Sequence, residues 1–172
     1  MIYSVIFITS LVMANLLVAL FGPWFSLVNS FFLIGLDLSI RDKLHDSWQT
    51  HLPLKMGALI LVSSGISYLL NPATGMIAIA SFVAFVLAML ADTLAYHFLK
   101  EKPWFIRSNG SNLAGAAVDS VIFPTIAFGG LMPEIVALQF LTKVTGGLVW
   151  SYLINKNIYI ITMGKTIHRE WH

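Results

Sequence analysis

No cysteine occurs among the 172 residues. Disulfides, iron–sulfur clusters and thiolate zinc sites are therefore excluded. Charge is also scarce. Charged residues make up 10% of the chain and hydrophobic residues 58%, whereas a soluble domain carries roughly 25% charged residues. A soluble fold of this size exposes too much of its chain to hide so much apolar surface. Lipid removes that difficulty, and a mean hydropathy of +0.82 agrees. Catalytic signatures are missing: there is no Gly-x-Ser-x-Gly, no His-Glu-x-x-His, no Walker loop and no Rossmann glycine pattern. The chain reads as no enzyme, needs no cofactor, and cannot hydrolyse ATP alone. The first twenty-odd residues are apolar but lack a basic leader and a small-x-small cleavage site, so they read as a retained helix rather than a signal peptide.

What is present is a series of apolar runs, each close to the roughly 20 residues that a membrane helix needs. They span Ile2–Phe21, Trp24–Ile40, Leu52–Leu70, Thr74–Leu99, Asn112–Gly129 and Pro133–Ile154. Gly22-Pro23, Asn71-Pro72 and Gly130–Pro133 form short breaks between them. The expected fold is an all-α integral membrane bundle of about six transmembrane helices. Residues 1–155 form the transmembrane domain and residues 156–172 a cytoplasmic tail.

Nine of the ten basic residues fall on alternate connections. Arg41, Lys43 and Lys55 lie between the second and third spans, Lys100, Lys102 and Arg107 between the fourth and fifth, and Lys156, Lys165 and Arg169 after the sixth. The positive-inside rule then places both termini in the cytoplasm, with the bilayer being the cell's inner (plasma) membrane. Basic residues confined to short loops orient a membrane protein. The net charge of +2 is therefore no nucleic-acid footprint.

Small residues recur where helices would approach closely: Ala80, Ala84 and Ala88, Ser10 and Ala14, Asn15 and Ala19, and the pair Gly146 and Gly147. Polar residues inside apolar runs are the informative ones, since each costs a few kcal/mol at the bilayer centre and needs a partner or a purpose. Asp119 lies deep in the fifth span, Lys143 ten residues into the sixth, Asp92 toward the end of the fourth, and Asn15 in the first. A buried ion pair holding the bundle in register accounts for Lys143 and one aspartate. The second acid is left over. It must bind a ligand, hold a proton or meet water.

Residues three, four and seven apart share a helix face. Ser81, Phe85, Met89, Asp92 and Tyr96 align on the fourth span. Asn112, Ala116, Asp119, Phe123 and Ile126 align on the fifth, and Gln139, Lys143, Gly146 and Trp150 on the sixth. Aromatic and acidic groups on one face suit a flat, hydrogen-bonding heterocycle, although residues such as Phe85 and Phe123, taken singly, more often pack or face lipid than stack on a ligand. Pro124 frees a backbone carbonyl or merely kinks the fifth helix. Asp37 and Arg41 stand at i and i+4, an interfacial helix-end pair or part of a gate. His168 and His172 have metal-ligand spacing, but a terminal tail lacks the other ligands, so no metal is expected.

In order along the chain stand Asn15, Asp37-Leu38-Ser39-Ile40-Arg41, Asp92, Asp119-Ser120-Val121-Ile122-Phe123 with Ala127-Phe128, and Lys143. With this set the chain resembles the queuosine precursor transporter family, also called the vitamin uptake transporter family, over essentially all six spans. It departs from the family pattern at Met89 and Ala116, where Gln and Asn are frequent. The resemblance implies uptake of a 7-deazaguanine such as preQ0 or preQ1, with Asn15, Asp92, Asp119, Phe123 and Lys143 at the site; the face alignment adds Phe85 and Asn112. Asp119 or Asp92 would accept the guanine-like edge, and Lys143 would set which acid stays charged. The family is similar in size and helix count to the substrate-binding subunits of energy-coupling-factor transporters. Partners are thus a deazapurine-like small molecule and the lipid bilayer, with a homo-oligomer or an ATPase partner left open. The alternatives are a binding subunit of an ATP-driven vitamin or nucleobase transporter, and a structural membrane protein that transports nothing.

Overall fold

The computed structural model describes residues 2–48 and 51–169. Among these are six helical rods and no strand. The first is α1 (Ile2–Phe21). The second is continuous but built in three parts: α2 (Phe25–Asn29), a π-helical turn (Ser30–Ile34) and α3 (Gly35–Trp48). Next come α4 (Leu52–Leu70), a 3-10 turn (Pro72–Thr74), α5 (Gly75–Phe98), α6 (Trp104–Ala127) and α7 (Pro133–Arg169). Left-handed Gly22 and Gly129, with φ of 81° and 74°, let the chain turn sharply after α1 and α6.

Three rods outrun the apolar segments that mark them. The second continues to Trp48, α6 starts at Trp104 and α7 runs to Arg169. Hydropathy marks the lipid-embedded part of a rod. Polar helix-forming residues extend it further, because each added residue gains a backbone hydrogen bond. The helix therefore continues past residue 155. The side chains of Lys43, Arg107, Lys156, Lys165, His168 and Arg169, and His172 as a whole, lie outside the described residues.

Pairwise packing runs round a closed ring. α1 packs on α4, α4 on α5, α5 on α6, α6 on α7, α7 on the second rod, and that rod returns to α1. The pairing of α5 with α6 is the most extensive. The alanine face of α5 is buried there, and a Cβ on Gly115 would stand 3.2 Å from the carbonyl oxygen of Ala88. A second close crossing joins α7 to the second rod. A Cβ added to Gly35 would stand 2.7 Å from the backbone of Gly146, and one on Gly146 would collide with the carbonyl of Phe31. Missing side chains at these points let the backbones meet.

The ring is polar toward its axis and apolar outward. Leu61, Leu69, Ile79, Leu90 and Leu148 are exposed on the outside. Asn15, Asn29, Asp37, Gln139 and Lys143 are buried within. That inversion suits lipid as the solvent. An apolar cluster of Phe7, Leu11, Ile40, Leu44, Met56 and Ile60 fills the end where α1 begins and α3 ends. Among the described residues, three helices are long and apolar enough to cross a membrane: Ile2–Phe21, Pro53–Leu70 and Pro72–Phe98. The second rod, α6 and α7 carry most of the inward polar groups, and this lowers their apolarity.

Candidate functional site

The ring encloses a cavity of about 110 Å³, to which all six rods contribute side chains. At roughly 10–15 Å³ per water, it has room for several waters or a small bicyclic ring. Of the seven residues expected at a site, Asn15, Phe85, Asn112, Asp119, Phe123 and Lys143 line it, and Asp92 does not. Asp92 shares the α5 face of Ser81 and Phe85. It sits two turns beyond Phe85, where α5 and α6 close at Ala88 and Gly115, and its Cβ lies against Gly115. Its Oδ1 is buried with no hydrogen-bond partner.

Lys143 is 3% exposed, and its ammonium has three N–H donors with three acceptors to meet them. Nζ lies 2.6 Å from Asp119 Oδ2. It also donates to Gln139 Oε1 at 3.0 Å and to Ser120 Oγ at 3.3 Å. Lys143 therefore pairs with Asp119 and not with Asp92. Gln139 is held in turn by donating from Nε2 to Ser26 Oγ at 2.7 Å. The Asp119 side chain keeps 25% exposure toward the cavity, and no described residue pairs with its Oδ1. Pro124, one turn on from Ser120, has no N–H, so the Ser120 carbonyl lacks its usual helical partner.

Asn15 is a junction. Its Nδ2 donates to Ser67 Oγ of α4 at 3.3 Å, and its Oδ1 accepts from Ser81 Oγ of α5 at 2.9 Å. One N–H and one lone pair remain for the cavity. Asn29 Nδ2 donates to the Ala14 carbonyl at 2.9 Å and ties the second rod to α1.

Asp37 and Arg41 do not form the expected helix-end pair. Both line the cavity. Asp37 meets Ser10 Oγ of α1, whereas Arg41 crosses to α6 and donates to Asn112 Oδ1 at 2.9 Å. The cavity thus holds two acids and two bases, which corrects the expectation of a single cation. An apolar-run reading ends the second span near Ile40 and misses this pair as site residues. Ser26, Ser30, Asp37 and Arg41 recur at steps of four, seven and four on one helix face, and that spacing carries the signal. The π turn at Ser30–Ile34 lies in the middle of this face.

Residues 1–156, which include every cavity-lining residue, match the family model described as "Putative vitamin uptake transporter". The chain belongs to this family. Membership puts it among membrane proteins that take up small molecules. Four of the five elements behind the resemblance face the family member's cavity: Asn15, the Asp37–Arg41 segment, Asp119 and Lys143. No curated protein and no solved structure matches it.

Proposed function

We propose that this chain imports a small, flat, hydrogen-bonding heterocycle, a queuosine precursor of the 7-deazaguanine class such as preQ0 or preQ1. The observation that carries this reading is the posture of Asp119. Lys143 fixes one carboxylate oxygen at 2.6 Å, and the other is open to a cavity walled by Phe85 and Phe123. A guanine-like edge offers two adjacent N–H donors. Oδ1 and the spare lone pair of Oδ2 accept both, in the way a carboxylate accepts a guanidinium. The ring stacks on an aromatic face, and Asn15 and Asn112 read its remaining polar atoms. Lys143 holds Asp119 in place by its contact with Oδ2, so the acceptor is pre-positioned.

The bilayer is the inner membrane and both termini are cytoplasmic, a reading supported by the alternate placement of nine of the ten basic residues. Labelled preQ1 should accumulate in cells unable to make it only when they carry this gene. Equal uptake with and without the gene removes the substrate. Proteoliposomes holding only this chain separate a stand-alone carrier, which exchanges preQ1, from a binding subunit that needs an ATPase partner and exchanges none.

A further inference from the structure

Asp37 is 5% exposed, and its Oδ2 has no hydrogen-bond partner. Its Oδ1 meets Ser10 Oγ. That hydroxyl also lies 3.0 Å from the carbonyl oxygen of Ile6 and 3.1 Å from that of Phe7. Ser10 has one proton for three acceptors. If Asp37 were an anion, Ser10 would have to turn to it, leaving a second carboxylate oxygen bare in an apolar setting. If Asp37 is a carboxylic acid, it donates to Ser10 Oγ, Ser10 donates to its own helix, and every hydroxyl proton has a place.

Arg41 supplies an independent observation. It stands one turn further along the same helix, where opposite charges attract. Yet it forms no ion pair with Asp37 and reaches across to the neutral amide of Asn112 at 2.9 Å. A guanidinium chooses an amide over a carboxylate one turn away when that carboxyl is uncharged. The other groups lining the cavity cannot replace it. Lys143 of α7 is fully used by Asp119, Gln139 and Ser120. Ser10 of α1 is neutral, and among the described residues of α4 only Ile60 lines the cavity.

We infer that Asp37 is a proton-carrying site, and that its proton controls a latch between Arg41 and Asn112. With the proton bound, Arg41 bridges the second rod to α6. When the proton leaves, the carboxylate pairs with Arg41 and the bridge opens. The balance is one proton bound to a carboxylate and one released, with no other covalent bond made or broken. Coupling this proton to solute movement rests on the transport reading above. The proton site itself does not.

Infrared difference spectra of the purified full-length chain in lipid nanodiscs, taken across pH, read the proton without any substrate. A carboxylic-acid carbonyl band that titrates is expected. It should disappear in Asp37→Asn, persist in Asp119→Asn, and shift in frequency in Ser10→Ala, which keeps the acid and removes its hydroxyl partner. The absence of such a band in the native chain overturns the proposal. So does a band that Asp37→Asn leaves unchanged, or one that Ser10→Ala does not move. In proteoliposomes, an inside-alkaline gradient should drive labelled preQ1 accumulation by the native chain. Asp37→Asn should lose that accumulation, and retained accumulation overturns the coupling. A titrating Asp37 band in a chain that exchanges no preQ1 removes the substrate reading and keeps the proton site.

Discussion

Lys143 and Asp119 are joined at 2.6 Å across the α6–α7 contact, and the lysine is buried while the aspartate looks into the cavity. The two members of the pair should respond differently to substitution. Lys143→Met leaves Asp119 with access to water, and Asp119→Asn leaves a buried ammonium with only neutral partners. Removing one partner of a buried pair costs about 3–5 kcal/mol. The full cost is expected for Asp119→Asn and a smaller one for Lys143→Met. Thermal unfolding of the purified variants in one detergent orders them, and a native-like midpoint for Asp119→Asn would contradict the geometry.

Gly146 and Gly35 let α7 and the second rod touch backbone to backbone. Gly146→Ala places a methyl against the Phe31 carbonyl and forces the rods apart. Overpacking of this kind costs about 1–3 kcal/mol. Gly57→Ala is the control, since a Cβ there meets nothing within 4 Å. It should be neutral or stabilise by up to about 1 kcal/mol through helix propensity. Equal losses at both positions would rule out the crossing as the cause.

Asn15 bonds both Ser67 and Ser81, so it holds α1 against α4 and α5. Asn15→Leu takes a partner from the buried Ser67 hydroxyl and from the half-buried Ser81 hydroxyl, and should cost about 1–3 kcal/mol for a group left with none. The Ser67 hydroxyl still reaches the Ser63 carbonyl at 2.8 Å, so the loss falls mainly on Ser81. A double-mutant cycle of Asn15→Leu with Ser81→Ala measures it. Additive losses would show that the contact carries no energy.

Phe85 and Phe123 line the cavity from α5 and α6. Stacking of a base on an aromatic ring is worth about 1–3 kcal/mol by alanine substitution. Phe85→Ala and Phe123→Ala should therefore each weaken preQ1 binding by roughly five- to 150-fold. Equilibrium binding of labelled preQ1 to the purified variants checks this. Undiminished affinity in both would take the ring off these walls.

Segment count, the alternation of basic loops and the inward face of each rod are local properties. Apolar run length answers to bilayer thickness, and the 3.6-residue period fixes which side chains share a face. This is why Phe85, Asn112, Asp119, Phe123 and Lys143 stood out before any fold was known, and why six of the seven expected residues line one cavity. Depth and partner choice are not local. Asp92 shares its face with Phe85 and lies outside the cavity, because Gly115 on another helix lets α5 close at that level. Lys143 takes Asp119, and Arg41 leaves Asp37 for Asn112, because helix crossings elsewhere set which groups lie within reach. Periodicity gives the angle of a side chain about its own axis. Its height beside a neighbouring helix depends on how closely the backbones meet, and glycines such as Gly35, Gly115 and Gly146 set that only once the ring has closed.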